Sequence, residues 1–460
     1  MRQAFSPSSA DLYRLGLIDA MAAITEGRFT AHDYVESCIQ RAISTEERVG
    51  AFVHFNPDRI RAQVRPQTSA SGQLANMPIG VKDIMATRGV PTEMGSAALI
   101  GPFSGHIPNS SAKVVDKLAG ESAIMFGKTV TTEFAWREPG KTRNPWQLHH
   151  TPGGSSSGSA AAVAAGCVPA ALGTQTFGSV IRPAAFCGVV GFKPSFGTIP
   201  RTGIYPMSDS LDQVGVFTRT VTDAALLSAC LWTDAGTVQQ HDGNTVPPAL
   251  AAGLTTPDQR PRQIALLHTS RWDRADAAQQ QLINDTAALL TEEGADVTLL
   301  ELPAGFDAIW DIAATLCDVE GAEVNAQFMD ENPPRVSRHI LELITRGRAR
   351  PASDYQHAKA AQQSLVLQFH ELLAPFDAVL TAPARGEAPP GLADTGDAVF
   401  CIPFSVLGGP AITLPAAMSA NGLPLGIQLV HRWGDDQRLL DTARWIEQRL
   451  ARPQVFPLLP

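Results

Sequence analysis

The block from residue 77 to about 215 constrains the fold most, because it is unusually rich in Gly, Ser, Thr and Ala. Its polar residues recur in apolar surroundings, and glycine permits positive φ angles and close approach of other atoms. This composition is typical of backbone packed closely around a site. The chain as a whole has 44% hydrophobic and 18% charged residues, which indicates a globular protein with a large core.

Hydrophobic periodicity predicts helices and strands on both sides of this block. Residues 1–60 are predicted to be helical, with one helix beginning near Thr30 or His32, and an αβ unit follows in SSAKVVDKLAG and SAIMFGKTV. Further along, QIALLHTS, ADAAQQQLINDTAALLTEEG and DVTLLELP form a predicted βαβ unit. The segment PAITLPAAMSANGLPLGIQLV predicts two strands joined by a turn, and DDQRLLDTARWIEQRLA predicts a closing amphipathic helix.

These elements predict one domain over residues 1–460 rather than three small ones, because strands at both ends of the chain can join one sheet. The predicted fold class is α/β, with a central mixed β-sheet flanked by α-helices. Residues 77–215 form the core that carries the functional residues. Residues 233–263 lack sustained periodicity and are interpreted as a surface excursion or connector.

Charge and cysteine usage narrow the function classes. The net charge is −9 and no dense run of Lys and Arg occurs, so nucleic acid and anionic membranes are not expected as partners. No secretory leader or long apolar span is found, which predicts a cytoplasmic protein. The six cysteines are scattered and predicted to be buried thiols, without a disulfide frame, zinc site or other cofactor. A homodimer is compatible with these features.

The stretch TPGGSSSGSAAAVAAG, residues 151–166, has three competing interpretations. A phosphate-binding loop would need a Gly-Lys-Ser/Thr sequence and a preceding strand, and both are missing. A nucleophile elbow would make Ser156 the nucleophile of an esterase, but Pro145 and Pro152 precede it where a strand is required. The third interpretation combines this stretch with two other motifs.

Those motifs are MPIGVKDI, which contains Lys82, and GTQTFGSVIRPAAFCGVVGFKPSFG, which contains Ser179. Between them in the chain, the serine-rich stretch contributes Ser155. In this order, and with the spacing that these three positions define, the motifs resemble the amidase signature hydrolases. The resemblance extends over most of the chain and includes LDQVGVFTRTV, DAVLTAP and PFSVLGGPAITLP.

The resemblance implies that Ser179 is the nucleophile, Ser155 a bridging serine and Lys82 the base. A lysine with its ordinary pKa of about 10.4 is protonated at neutral pH, but burial disfavours the charged form and lowers the pKa. A neutral Lys82 would then take the proton of Ser155 while Ser155 takes that of Ser179. In the family the bond before the bridging serine, here Gly154–Ser155, is cis.

The resemblance also implies a site around the nucleophile. It predicts an oxyanion hole formed by the backbone N–H groups of Thr176, Phe177, Gly178 and Ser179. Ser156 is expected to support Ser155 by hydrogen bonding, and Ser157 and Ser159 to cap the following helix. Trp136 and Phe177 are predicted to line the substrate pocket.

The nucleophile loop departs from the commonest family pattern. Gln175 stands where an Asp is usual, Phe177 stands where a Gly is usual, and Arg182 follows the nucleophile by three residues rather than two. Gln175 and the shifted arginine occur together in a subset of soluble bacterial-type amidases.

Two functions follow from the resemblance. The first is an amidase that hydrolyses a small carboxamide or anilide. The second is the glutaminase subunit of a tRNA-dependent amidotransferase, which would deliver ammonia to a partner protein. Gln175 and Phe177 favour the first function, and a non-catalytic binding role ranks below both because all three catalytic positions are filled.

Overall fold

A computed structural model describes residues 9–66, 71–99, 107–233, 260–331 and 334–450, with 456, 457 and 459. Most of the predicted connector 233–263, from 234 to 259, lies outside the described residues.

The described strands are β1 (Phe52–Phe55), β2 (Pro78–Lys82), β3 (Ile124–Thr129), β4 (Ala170–Gln175), β5 (Val190–Lys193), β6 (Gln213–Thr218), β7 (Gln263–Leu267), β8 (Asp296–Leu300), β9 (Ala378–Thr381), β10 (Ala411–Met418) and β11 (Pro424–Val430). The described α-helices are α1 (Leu17–Thr25), α2 (Ala31–Val49), α3 (Pro57–Arg61), α4 (Lys113–Gly120), α5 (Ser157–Ala164), α6 (Ile181–Cys187), α7 (Val221–Leu231), α8 (Ala277–Glu292), α9 (Ile309–Asn325), α10 (Arg338–Ala349), α11 (Ala352–Leu372), α12 (Ile402–Val406) and α13 (Asp436–Arg449).

One mixed sheet contains the eleven described strands, in the order β1-β3-β2-β4-β6-β5-β10-β11-β9-β7-β8. Strand β2 pairs in parallel with β3 and β4, and β7 pairs in parallel with β8 and β9. The other neighbouring strands pair antiparallel. The prediction of an α/β domain built on a central mixed sheet with flanking helices is confirmed.

Helix α2 shows how the local sequence positions an element. It begins after Thr30, whose hydroxyl oxygen accepts the backbone N–H of Asp33 at 3.1 Å. The Asp33 carboxylate in turn accepts the Thr30 N–H at 2.9 Å, which completes a capping box. The helix therefore begins at the first of the two predicted positions, and its apolar side packs into the core.

The other local predictions have mixed outcomes. The β7–α8–β8 unit is parallel as predicted, and β10 and β11 form an antiparallel pair joined around Asn421–Gly422. The prediction that residues 1–60 are helical throughout is wrong, because β1 pairs antiparallel with β3 at one edge of the sheet. This strand is too short to show a periodicity, and it depends on packing of Phe52 and Phe55 against Phe126.

The block rich in small residues contributes β2 to β6 with α5 and α6, and every residue of α5 is buried. Gly158 shows why side chains are excluded there: a Cβ atom would lie 2.2 Å from the Ala51 carbonyl oxygen and 2.3 Å from the Val130 nitrogen. This close packing agrees with the interpretation of the composition. Across the part of the chain that the structure describes, the six cysteines are buried and unpaired. Within the same ranges, no helix has the length and apolar character needed to span a bilayer.

Candidate active site

Lys82 is the last residue of β2 and is fully buried. Its Nζ donates hydrogen bonds to Ser155 Oγ at 2.7 Å and to Thr174 Oγ1 at 2.9 Å. Burial lowers the pKa of Lys82 to about 7, although the negative charge of Asp212 opposes part of this decrease. An amine with this pKa is largely uncharged at slightly alkaline pH and can accept a proton from a neighbouring hydroxyl.

The acid that follows Lys82 in sequence does not neutralise it. Asp83 forms a buried ion pair with Lys128, whose Nζ lies 2.9 Å from Asp83 Oδ1. The other carboxylate oxygen accepts the backbone N–H groups of Glu93 and Met94. These contacts fix the chain directly after Lys82 and leave the amine of Lys82 to the two hydroxyls.

Ser155 is held by its backbone on both sides. The Gly154–Ser155 peptide bond is cis, as the resemblance implies. The Ser155 carbonyl accepts the N–H of Thr132 at 3.1 Å, and the Gly154 carbonyl accepts Nη2 of Arg182 at 2.7 Å. The Ser155 hydroxyl therefore meets Lys82 in a fixed, buried position.

The neighbouring serines have other partners than those predicted. Ser156 Oγ donates to the Thr174 carbonyl at 3.2 Å and accepts the Thr174 N–H at 3.3 Å, so it contacts the residue that accepts from Lys82. Ser157 and Ser159 do not cap α5; their hydroxyls donate to backbone carbonyls in or next to β3 and β4. Because α5 begins inside the core, these carbonyls compete for the two hydroxyls with the first N–H groups of the helix. Within the described residues, no strand of the sheet leads directly into Ser156 as a nucleophile elbow requires.

Ser179 lies in the loop between β4 and α6 and is 7% exposed. Its hydroxyl has no hydrogen-bond partner among the described residues, so a Ser155–Ser179 hydrogen bond is not formed in this structure. Nevertheless, the Arg182–Gly154 hydrogen bond brings the start of α6 against the chain before Ser155. The two serines thus lie on segments that contact each other.

The loop before α6 presents a run of unpaired donors. In the described part of the chain, no protein acceptor takes the backbone N–H groups of four consecutive residues, Thr176, Phe177, Gly178 and Ser179. The next two N–H groups are satisfied, because Gln175 Oε1 accepts from Val180 at 2.9 Å and from Ile181 at 3.0 Å. Unpaired N–H groups next to a serine are the donors that an oxyanion hole needs.

Trp136 and Phe177 lie against each other beside this loop. Their ring centroids are 5.9 Å apart at an interplanar angle of 61°. The Trp136 side chain is 9% exposed, and its indole N–H is buried without a partner among the described residues. Phe134 and Ala135 before it have φ angles of 47° and 61°, in the left-handed region that side chains rarely adopt.

Sequence reasoning did not single out two residues that border the predicted site. Thr174 accepts from Lys82, and Asp212 Oδ1 accepts the Thr176 hydroxyl at 2.6 Å. Both line a cavity of about 150 Å³ together with Arg201 and Tyr205. Asp212 lies in LDQVGVFTRTV, which carried part of the resemblance without a role for the carboxylate.

Comparison with known proteins agrees with this architecture. The amidase family model matches residues 33–440. The A subunit of a glutamyl-tRNA(Gln) amidotransferase from Chloroflexus aurantiacus is 32% identical over 97% of this chain and 99% of that protein. A solved structure of an amidase aligns with a TM-score of 0.83 and 28% identity, over 95% of this chain and 100% of the other. The peptide amidase from Stenotrophomonas maltophilia aligns with a TM-score of 0.77 and 27% identity, over 96% and 98% of the two chains. The name of the Chloroflexus aurantiacus relative corresponds to the second function of the sequence analysis, the subunit of a tRNA-dependent amidotransferase.

Proposed function

Because the chain belongs to the amidase family, we propose that it hydrolyses the C–N bond of a carboxamide with Ser179 as nucleophile. The products are a carboxylic acid and ammonia or an amine. The Lys82–Ser155 hydrogen bond carries this proposal, because it joins a buried amine of lowered pKa to a serine hydroxyl.

The reaction proceeds by proton relay. The Ser179 hydroxyl, which has no partner among the described residues, rotates toward Ser155 and attacks the amide carbonyl carbon. Its proton passes to Ser155 as the Ser155 proton passes to neutral Lys82. The same path then returns a proton to the leaving nitrogen, the C–N bond breaks and an acyl group remains on Ser179. A water molecule then gives a proton to the relay and attacks the acyl carbon, the bond from that carbon to Ser179 Oγ breaks, and the relay returns the proton to Ser179 as the acid leaves.

The negative charge on the carbonyl oxygen is stabilised by the unpaired N–H groups of the loop between β4 and α6. Removing one such donor in known enzymes costs about 2.7–4 kcal/mol of transition-state stabilisation. These donors have no protein acceptor, so no hydrogen bond within the protein competes with the oxyanion for them.

We place the acyl group of the substrate against Trp136 and Phe177. Trp136→Phe keeps an aromatic side chain but replaces the indole by a smaller ring and removes its unpaired N–H, so kcat/KM is expected to fall most for substrates with a hydrogen-bond acceptor on the acyl chain. Trp232→Phe is the matched control, because Trp232 is also buried with an indole N–H that lacks a partner among the described residues. Phe177→Gly is expected to change the ranking of substrates, and an unchanged ranking would contradict its place in the pocket.

A fluorophosphonate probe tests the nucleophile. We expect mass spectrometry to find the phosphonyl group on Ser179 of the wild-type protein, and no adduct in the Ser179→Ala variant. An adduct on Ser156 instead would support the esterase alternative. Amide hydrolysis by the Ser179→Ala variant at the wild-type rate would contradict the mechanism.

The second candidate function is the glutaminase subunit of a tRNA-dependent amidotransferase. The name of the curated relative supports this function over that of a free-standing amidase. Gln175, where an Asp is usual in the family, is only weak evidence against this second function. Its side-chain oxygen accepts two N–H groups, and the carboxylate of an acidic residue is also able to do so.

The purified chain on its own separates the two functions. A panel of small amides and anilides, with glutamine included, is assayed without any other protein. Turnover of a small amide supports the free-standing amidase. Hydrolysis of glutamine that appears only in the presence of the other proteins of an amidotransferase complex supports the second candidate.

A further inference from the structure

Ser405 connects a distant helix to the loop that carries the proposed nucleophile. It lies on α12 and is 1% exposed. Its hydroxyl donates to the Phe177 carbonyl at 2.8 Å and accepts Nε2 of Gln175 at 3.0 Å. Ser405 therefore bonds two residues of the loop at once, across 228 residues of sequence from Phe177.

The hydrogen bond to Phe177 also sets the direction of the next N–H group. The C=O and N–H groups of one trans peptide unit are coplanar and point in opposite directions. A hydroxyl that holds the Phe177 carbonyl toward α12 therefore turns the Gly178 N–H away from α12. Gly178 packs closely here, since a Cβ atom would lie 2.9 Å from Cys401 Cβ, so the peptide has little room to rotate.

Gln175 binds the N–H groups at the end of the loop and leaves the preceding ones unpaired. Its side-chain oxygen takes the N–H groups of Val180 and Ile181, and its amide N–H₂ donates to Ser405. The N–H groups between these contacts, up to Ser179, remain without a protein acceptor in the described structure.

A carboxylate could also accept from Val180 and Ile181, so the hydrogen bond to Ser405 is the contact that requires an amide at position 175. A serine hydroxyl has one hydrogen, and Ser405 uses it for the Phe177 carbonyl while its oxygen accepts from Gln175. A carboxylate at position 175 has no hydrogen to donate and would itself accept the Ser405 hydrogen, in competition with Phe177. The glutamine that departs from the family pattern thus matches the hydroxyl at position 405.

We infer that Ser405 and Gln175 are positioning residues that hold the Gly178 N–H toward the reacting carbonyl oxygen. The inference rests on the proposed function of the Ser179 loop. Neither residue contacts the substrate; both act through the orientation of one peptide unit.

The test measures how fast a fluorophosphonate modifies Ser179, because its P=O oxygen develops negative charge as the carbonyl oxygen does. Ser405→Ala is expected to lower the maximal rate of modification about tenfold and to change the half-saturating probe concentration by less than about twofold. Gln175→Glu, which keeps an acceptor for Val180 and Ile181, is expected to lower the rate in the same way. A loss of probe binding alone would not be a positioning effect and would overturn the inference.

Ser195→Ala is the matched control. Ser195 is also 1% exposed, and its hydroxyl donates to Asp436 and accepts the Gly434 N–H outside the loop. This variant is expected to lose thermal stability while it keeps the rate of Ser179 modification. Wild-type rates in both Ser405→Ala and Gln175→Glu, or rate losses equal to that of Ser195→Ala, would overturn the inference. Failure of the wild-type protein to react at Ser179 would instead contradict the proposed function.

Discussion

Replacing Lys82 with methionine tests the energetic cost of keeping an uncharged amine in the core. Burial moves the pKa of Lys82 from 10.5 to about 7, and each pKa unit corresponds to about 1.4 kcal/mol. Below pH 7 the folded state therefore loses about 5 kcal/mol of stability relative to a lysine with its ordinary pKa. Methionine removes this penalty but also the hydrogen bonds to Ser155 and Thr174, which stabilise by about 1 kcal/mol each. We expect the variant to be about 3 kcal/mol more stable near neutral pH and catalytically inactive.

The stability gained by Lys82→Met should decrease as the pH rises. The unfolded chain keeps its proton on residue 82 up to about pH 10.5, whereas the folded chain releases it near pH 7. The penalty is therefore complete below pH 7 and shrinks as the pH rises between these two values. At about pH 9 the remaining penalty is about 2 kcal/mol, which equals the lost hydrogen bonds, and the two proteins should be equally stable.

Thermal unfolding at about pH 6.5 and about pH 9 measures the effect, and a chain of this length should show a difference of about 3 °C at the lower pH and none at the higher. Labelling of Ser179 by a fluorophosphonate reports the loss of the base. Lys193→Met is the matched control, because Lys193 is also fully buried with its pKa lowered to about 7, but it has no place in the proposed relay. It is expected to keep the labelling rate. A stability difference that is the same at both pH values, or a Lys82→Met variant with wild-type turnover, would refute the reasoning.

Two further predictions concern the surroundings of Lys82 and the packing of the core. Asp212→Asn removes the negative charge that raises the pKa of Lys82. The acid limb of the kcat/KM profile, which has its midpoint near pH 7 in the wild type, should therefore move to lower pH. An unmoved limb would contradict this electrostatic coupling. Gly158→Ala places a methyl group within 2.3 Å of backbone atoms of Ala51 and Val130. Urea unfolding should show that the free energy of unfolding falls by at least about 3 kcal/mol. A near-neutral change would mean that α5 is able to shift.

The parts of the fold that were predictable from sequence depend on local patterns. The start of α2 near Thr30, the β7–α8–β8 unit and the β10–β11 hairpin each lie within one short segment, where periodicity and capping residues act. The position of β1 at the sheet edge and the pairing of β10 with β5 depend on contacts between distant segments. No local periodicity contains that information.

The same distinction applies to the candidate site. Lys82, Ser155 and Ser179 became candidates because each lies in a motif with its own residue pattern. Ser405 was missed because its significance arises from a hydrogen bond to a residue 228 positions away. Thr174 was missed because it faces Lys82 only after β2 and β4 have paired.

Burial alone does not distinguish the proposed base, Lys82, from other lysines in this core. Among the described residues Lys82, Lys128 and Lys193 are fully buried. Lys128 faces a buried carboxylate, and Lys193 donates to two backbone carbonyls and a glutamine oxygen, so both meet acceptors that favour an ammonium group. Lys82 meets only the hydroxyls of Ser155 and Thr174, and a hydroxyl is able to donate as well as accept. A neutral amine needs a donor for its lone pair, and both hydroxyl partners of Lys82 can supply one. Lys128 also meets a hydroxyl, that of Thr92, but beside a carboxylate and a backbone carbonyl that favour the charged form. In the proposed mechanism, burial lowers the pKa of Lys82, and a hydroxyl partner allows the neutral amine to act as a base.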